Sequence, residues 1–276
     1  MARTRDSAFP SRSFSQRLGS MFRVDARRMF GTPLFWICLG IAFAVPILVL
    51  VMTGMVGGAE GGAMFTNTWQ IIESDGGGMM AAMGAAMGGG DAAATDAGMG
   101  MTAMMNINLM YFMIAVFLCM FVAEDFRSGY AKNLFTVRAR KGDYVASKTL
   151  IGVLAGALFL IAFFVGGVFG GAIAGLPFDL GDAGVSGLVM CMLAKIFLTA
   201  VFVAIFLIMC VFAKGRSWMS ICLSLFGGML LFMMIPMLTP LNSGVGNVGM
   251  CLAGGVIFAA ALGGVSNLIL KKTSLV

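Results

Sequence analysis

Only 11% of this 276-residue chain is charged and it contains no histidine, so few side chains are available for chemistry. They gather in one place. Glu124 to Lys148, EDFRSGYAKNLFTVRARKGDYVASK, holds six basic residues (Arg127, Lys132, Arg138, Arg140, Lys141, Lys148) against three acidic ones (Glu124, Asp125, Asp143), with apolar sequence on both sides. Charges at this density are expected to meet water or a polar partner, on the membrane side where short loops collect Lys and Arg. Within the segment, Gly142 to Thr149 (GDYVASKT) has the spacing of a phosphate-binding loop with Ser147 in place of its second glycine. Such a loop must join a buried strand to a helix so that backbone N–H groups cradle the phosphate, whereas this one leads directly into an apolar run. No acidic residue following a strand-like stretch offers magnesium a partner either. Nucleotide chemistry is therefore not expected in this chain.

The remaining reactive groups are sparse. Cys38, Cys119, Cys191, Cys210, Cys222 and Cys251 lie inside or at the edge of apolar segments without a C-x-x-C pair, and read as small buried residues. Without histidine the commonest metal ligand and general base are missing. No catalytic, cofactor-binding or metal-binding residue is expected, and the chain does not read as an enzyme. Methionines between Met64 and Met105 offer soft thioethers of the kind that hold Cu(I). Methionine is abundant throughout, however, and no Cys or His in that loop completes a site. Lys195 is the one charge well inside an apolar run. Its desolvation is costly, which makes it a functional candidate, able to pair with an acidic group or an anionic substrate head. About two helical turns from the outer end of its run, it is also placed to snorkel outward.

The elements that carry these residues are membrane helices. A composition 60% hydrophobic cannot clothe a water-soluble core, so the chain reads as an all-α polytopic membrane protein. Apolar runs suited to spans occupy Leu34 to Val56, about Met104 to Ala123, Thr149 to about Leu176, about Gly187 to Ala213, a run following Lys214 and Arg216 to about Met237, and about Val248 to Leu270. The first is too long for a signal-peptide core and carries no clear cleavage site. Residues 1–33 form a basic N-terminal segment in which Phe14, Leu18, Met21, Phe22 and Met29 share one helical face, with Arg17, Arg23, Arg27 and Arg28 largely on the other. That pattern suits an amphipathic helix on the inner leaflet, or a flank that merely sets orientation. Residues 34–276 make up the six-helix domain, including a Gly/Ala/Met-rich loop at 57–103 in which Phe65, Trp69, Ile71 and Ile72 suit a short helix on the outer leaflet. Gly166, Gly167, Gly170 and Gly171 form overlapping small-xxx-small patterns that permit close helix approach, either within the bundle or between subunits.

Charge placement orients the whole. Of 18 basic residues, all but Lys195 fall in segments assigned to one side, while the opposite loops hold acidic residues and no basic ones. Six spans with both termini cytoplasmic, in a cytoplasmic membrane, follow from this asymmetry. The net charge of +6 is thus an orientation signal, and no nucleic-acid partner is expected.

The order of residues in the charged segment resembles the type-2 ABC transporter permeases, mostly bacterial exporters. In that family the second span ends in an acidic residue, followed by E-x-x-x-x-G-T-x-x-x-L, a short basic turn, a Tyr or Leu, and a Lys opening the third span. Glu124, Gly129, Asn133-Leu134, Arg138 to Lys141, Tyr144 and Lys148 occupy those places, with Tyr130 where Thr is usual and Arg138 where Pro is expected. The resemblance implies a permease subunit, paired with a like or related subunit in the lipid bilayer. It docks a cytoplasmic ATPase, which supplies the ATP and magnesium, through a coupling helix between spans two and three. Glu124, Arg127, Gly129, Lys132 and Asn133 would lie at or beside that helix. An amphiphilic cargo, such as a peptide antibiotic, a drug or a lipid-like molecule, suits the family. Two other classes compete: a secondary transporter driven by an ion gradient, for which only Lys195 speaks, and a non-transporting anchor or assembly factor.

Overall fold

The computed structural model describes residues 13–56, 65–72, 106–137, 141–213, 216–232 and 235–272, and among these there is no strand. Apolar chain in lipid has no water to satisfy its N–H and C=O groups, so each run closes its hydrogen bonds internally as a helix. Helix α1 is Phe14–Gly31 and α2 Pro33–Val56, separated at Thr32, whose hydroxyl donates to the Arg28 carbonyl at 2.8 Å. Then come α3 (Leu109–Arg127), α4 (Tyr130–Val137), α5 (Lys141–Ala174), α6 (Gly184–Phe212), α7 (Ser217–Phe232), α8 (Ile235–Leu238) and α9 (Val245–Lys272).

Five of these, α2, α3, α5, α6 and α9, are long and apolar enough to cross a membrane. The expected fifth span is described in two pieces, on either side of residues 233–234. Its first described piece, α7, has 16 residues, and α8 has four. The charged segment is not one loop. Its first residues continue α3 to Arg127 and its last eight belong to α5, which begins at Lys141.

Small residues set how closely the helices approach. A Cβ on Gly166 would stand 2.3 Å from the Phe43 carbonyl oxygen, and one on Gly170 2.8 Å from the Ile47 Cα. The α5 backbone therefore lies directly against α2. Gly167 and Gly171, one position further round, admit Ile71 and Thr68. The glycine stripe thus serves packing within the subunit. Lower on α5, Gly152 and Gly156 accept Val203 and Thr199 of α6 and Ile114 of α3.

The segment 65–72 departs from the expectation of a helix lying on the outer leaflet. Phe65, Ile71 and Ile72 are buried, and the short 3-10 turn Thr68–Ile71 is capped by Asn67, whose side chain accepts from Trp69 N while Gln70 reaches back to Asn67 N. Trp69 stacks on Phe164 of α5 and meets Phe178 edge-on. This segment plugs the end of the bundle opposite the charged segment.

A cluster of buried charge and an intramembrane lysine

The apolar face of α1 carries one acid. Asp25 is buried between Met21 and Met29, one turn away on either side. On the last turn of α3 two consecutive acids point about 100° apart, as 3.6 residues per turn requires; Asp125 is fully buried and Glu124 exposed. On the first turns of α5, Tyr144, Ser147 and Lys148 face the same interior. The three helices converge there.

Lys148 Nζ lies 2.9 Å from Asp25 Oδ1 and 2.6 Å from Asp125 Oδ2. Arg28 Nη1 lies 2.7 Å from Asp125 Oδ1, close enough for a strong ion pair although its N–H is not aimed along a hydrogen bond, and 3.8 Å from Asp25. Ser147 donates to Asp25 at 2.6 Å and the Tyr144 hydroxyl to Asp125 at 3.1 Å. Two cations and two carboxylates thus balance, with aromatic faces closing the shell: Lys148 stands 4.2 Å from the Phe121 ring and Arg28 4.2 Å from the Tyr130 ring. Burial pulls the Arg28 pKa down, but Asp125 and its neighbours outweigh it and the net shift is upward. Burial and then Asp25 push the Tyr130 phenol up. A second pair, Arg17 to Asp143 at 3.0 Å, ties α1 to α5 nearer its start.

Segment charges expected to meet water or a partner are therefore split. Asp125, Asp143 and Lys148 turn inward and meet one another's helices, while Glu124, Arg127, Lys132 and Asn133 are exposed. Gly129 makes the turn between the two groups. Its φ of +73° lies in the left-handed region that glycine adopts freely, and the chain passes there from α3 into α4. Lys132 and Asn133 ride on α4, eight residues long, whose Ala131 is buried. Of the five residues expected from the sequence, Glu124, Arg127, Lys132 and Asn133 form an exposed edge around this short helix, Gly129 is half-buried at its turn, and the buried cluster sits directly behind it. Sequence reasoning passed over Asp25 and Asp125. The signal for Asp25 was present, as a lone acid at i+4 and i−4 from methionines on an otherwise apolar stripe. Tyr130, the departure from the family pattern, covers the Arg28 guanidinium. Arg138 and Arg140 lie outside the described residues, as do the nine methionines from Met64 to Met105.

Lys195 does not snorkel. It is fully buried on α6, and its Nζ is 3.0 Å from Thr239 Oγ1, just beyond α8, and 3.3 Å from Asn108 Oδ1, which precedes α3. Its carbonyl accepts from the Tyr111 hydroxyl at 2.8 Å and from Thr199 at 3.1 Å, and Tyr111 in turn stacks on Phe202 at 4.5 Å. The ammonium thus braces three elements at the end of the bundle that the 65–72 segment closes. Among the described residues no group of three or more His, Cys, Asp or Glu is placed to hold a metal ion.

A family model described as ABC-2 family transporter protein covers residues 32–231, which run from the start of α2 through nearly all of α7. No curated protein and no solved structure matches the chain.

Proposed function

The chain belongs to the ABC-2 family of transporter membrane proteins, and from that membership we propose that it is the permease subunit of an ATP-driven exporter of an amphiphilic molecule. In this reading six spans, counting α7 with α8, place both termini in the cytoplasm. Helix α1 lies along the inner leaflet, and α4 is the coupling helix met by a separate ATPase. Two such chains, alike or paired with a related subunit, would enclose the path. The observation that carries the reading is the mounting of α4. Exposed Glu124, Arg127, Lys132 and Asn133 offer a charged surface, and the buried Asp25, Arg28, Asp125 and Lys148 fasten its base to α1, α3 and α5 together. A push on α4 is then delivered to three helices as one body, which suits a rocking mechanism better than a solvated loop would. Lys195 would serve at the far end of α3 as the brace that passes this movement to α6 and α8.

Gentle extraction of the tagged chain from its native membrane, followed by identification of its partners and assay of ATP hydrolysis, tests the proposal. A nucleotide-binding protein should accompany it, and Glu124→Lys or Lys132→Glu should sever substrate-stimulated hydrolysis while leaving membrane insertion intact. Normal coupled transport in both variants would remove α4 from the docking role. Purification without any ATPase would favour the ion-driven or anchoring readings instead.

A further inference from the structure

A groove of about 780 Å³ opens between α1, the start of α5 and residues 259–267 of α9, at the end of the bundle that bears the charged segment. Its volume falls within the ~300–1,000 Å³ typical of small-molecule sites. The walls are of two kinds. Toward the helix ends stand Arg17 and Lys141, with Asp143 between them held by the Arg17 Nε. Lys141 Nζ also donates to the Leu270 carbonyl at 2.6 Å, fixing the ammonium at the α9 wall. Toward the membrane centre the α9 wall is made of Ala259, Ala260, Gly263 and Gly264, and the α1 and α5 walls of residues such as Leu18 and Leu150. No atom lies within 4 Å of where a Gly264 Cβ would be, so the space is open. Further toward the middle of the bundle, α9 instead presents large exposed side chains at Val256, Ile257 and Phe258.

A cationic rim above a slot bared of side chains matches an anionic head joined to an apolar tail. We propose that the groove holds one anionic phospholipid of the inner leaflet, its phosphate between Arg17 and Lys141 and one acyl chain along the Ala260/Gly264 face of α9. The cations alone would suit any phosphate; the tail slot and its position at the bilayer edge select a lipid. The assignment rests on the orientation set by loop charge and not on what the protein exports, so it stands or falls apart from the exporter reading.

Native mass spectrometry of the purified full-length chain, delipidated and then exchanged with vesicles of equal phosphatidylglycerol and phosphatidylcholine, provides the test. Among the described lining residues two cations against Asp143 leave one net positive charge, for which a preference of about fivefold for phosphatidylglycerol is expected. Lys141→Gln should bring that ratio to about one. Gly264→Leu, which fills open space and favours the helix, should reduce retention of both lipids severalfold while gel filtration stays unchanged. Ala260→Leu on the same face serves if that variant expresses poorly. Millimolar inorganic phosphate should not displace the lipid. An unchanged lipid ratio in Lys141→Gln, unchanged retention in both leucine variants, or displacement by phosphate alone would each overturn the assignment.

Discussion

Lys148 is the residue on which the charged end depends, because it touches both buried carboxylates at under 3 Å. Bringing such charges out of water costs several kcal/mol each, and only complete pairing offsets it. Lys148→Met would leave Asp25 and Asp125 sharing Arg28 alone, and is expected to destabilise the folded protein by about 3–5 kcal/mol, measured by thermal or denaturant unfolding in detergent. The double variant Lys148→Met/Asp25→Asn removes one charge of each sign and retains the Arg28–Asp125 pair. It should recover part of that loss, with a coupling energy of about 0.5–3 kcal/mol in the double-mutant cycle. Additive losses would mean that the two residues do not interact as their 2.9 Å separation indicates. Of this cluster the sequence displayed Lys148 at the mouth of its span and an acidic pair at the end of the preceding one, but not which acid turned inward. That depended on α3 continuing to Arg127, since helical phase decides which of Glu124 and Asp125 faces α1. Asp25 lies 100 residues away in the chain from Asp125, and no local pattern joins residues so distant.

Helices were legible because each apolar run has only one way to satisfy its backbone in lipid. Their partners were less so. The glycine pairs of α5 announced a close approach without naming its object, and small-xxx-small spacing is the same whether the neighbour is α2 or another subunit. The structure gives the neighbour, and with it an expectation. Gly166→Ala puts a methyl carbon 2.3 Å from a backbone carbonyl of α2, an atom that cannot turn aside, so the helices must separate. A loss of about 1–3 kcal/mol is expected, as for other overpacked cores. Gly254→Ala on α9, where nothing stands within 4 Å, should be neutral or slightly stabilising. Parallel melting curves of the two variants check the contrast, and equal stability would place the α2–α5 contact elsewhere.

At the scale of the molecule, α3 joins the two polar sites: Asn108 at one end receives Lys195, and Asp125 near the other receives Lys148, about 26 Å away at ~1.5 Å per residue. Lys195→Met sets two opposed effects against each other. Removing an ammonium from membrane depth relieves about 2.5–3.5 kcal/mol on insertion scales, while leaving Asn108 and Thr239 without their donor costs about 1–3 kcal/mol. Stability should therefore change little, and a loss of transport in this variant would report function rather than unfolding. Combining it with Glu124→Lys asks whether α3 transmits force. Sites this far apart with no shared partner should add in stability to within about 0.5 kcal/mol. If the coupling helix acts through α3 on the Lys195 brace, however, either substitution alone already breaks the chain of transmission, and the double variant should transport no worse than the weaker single one. Multiplying transport defects would instead show two independent faults, and would confine the buried charge cluster to holding α1 against the bundle.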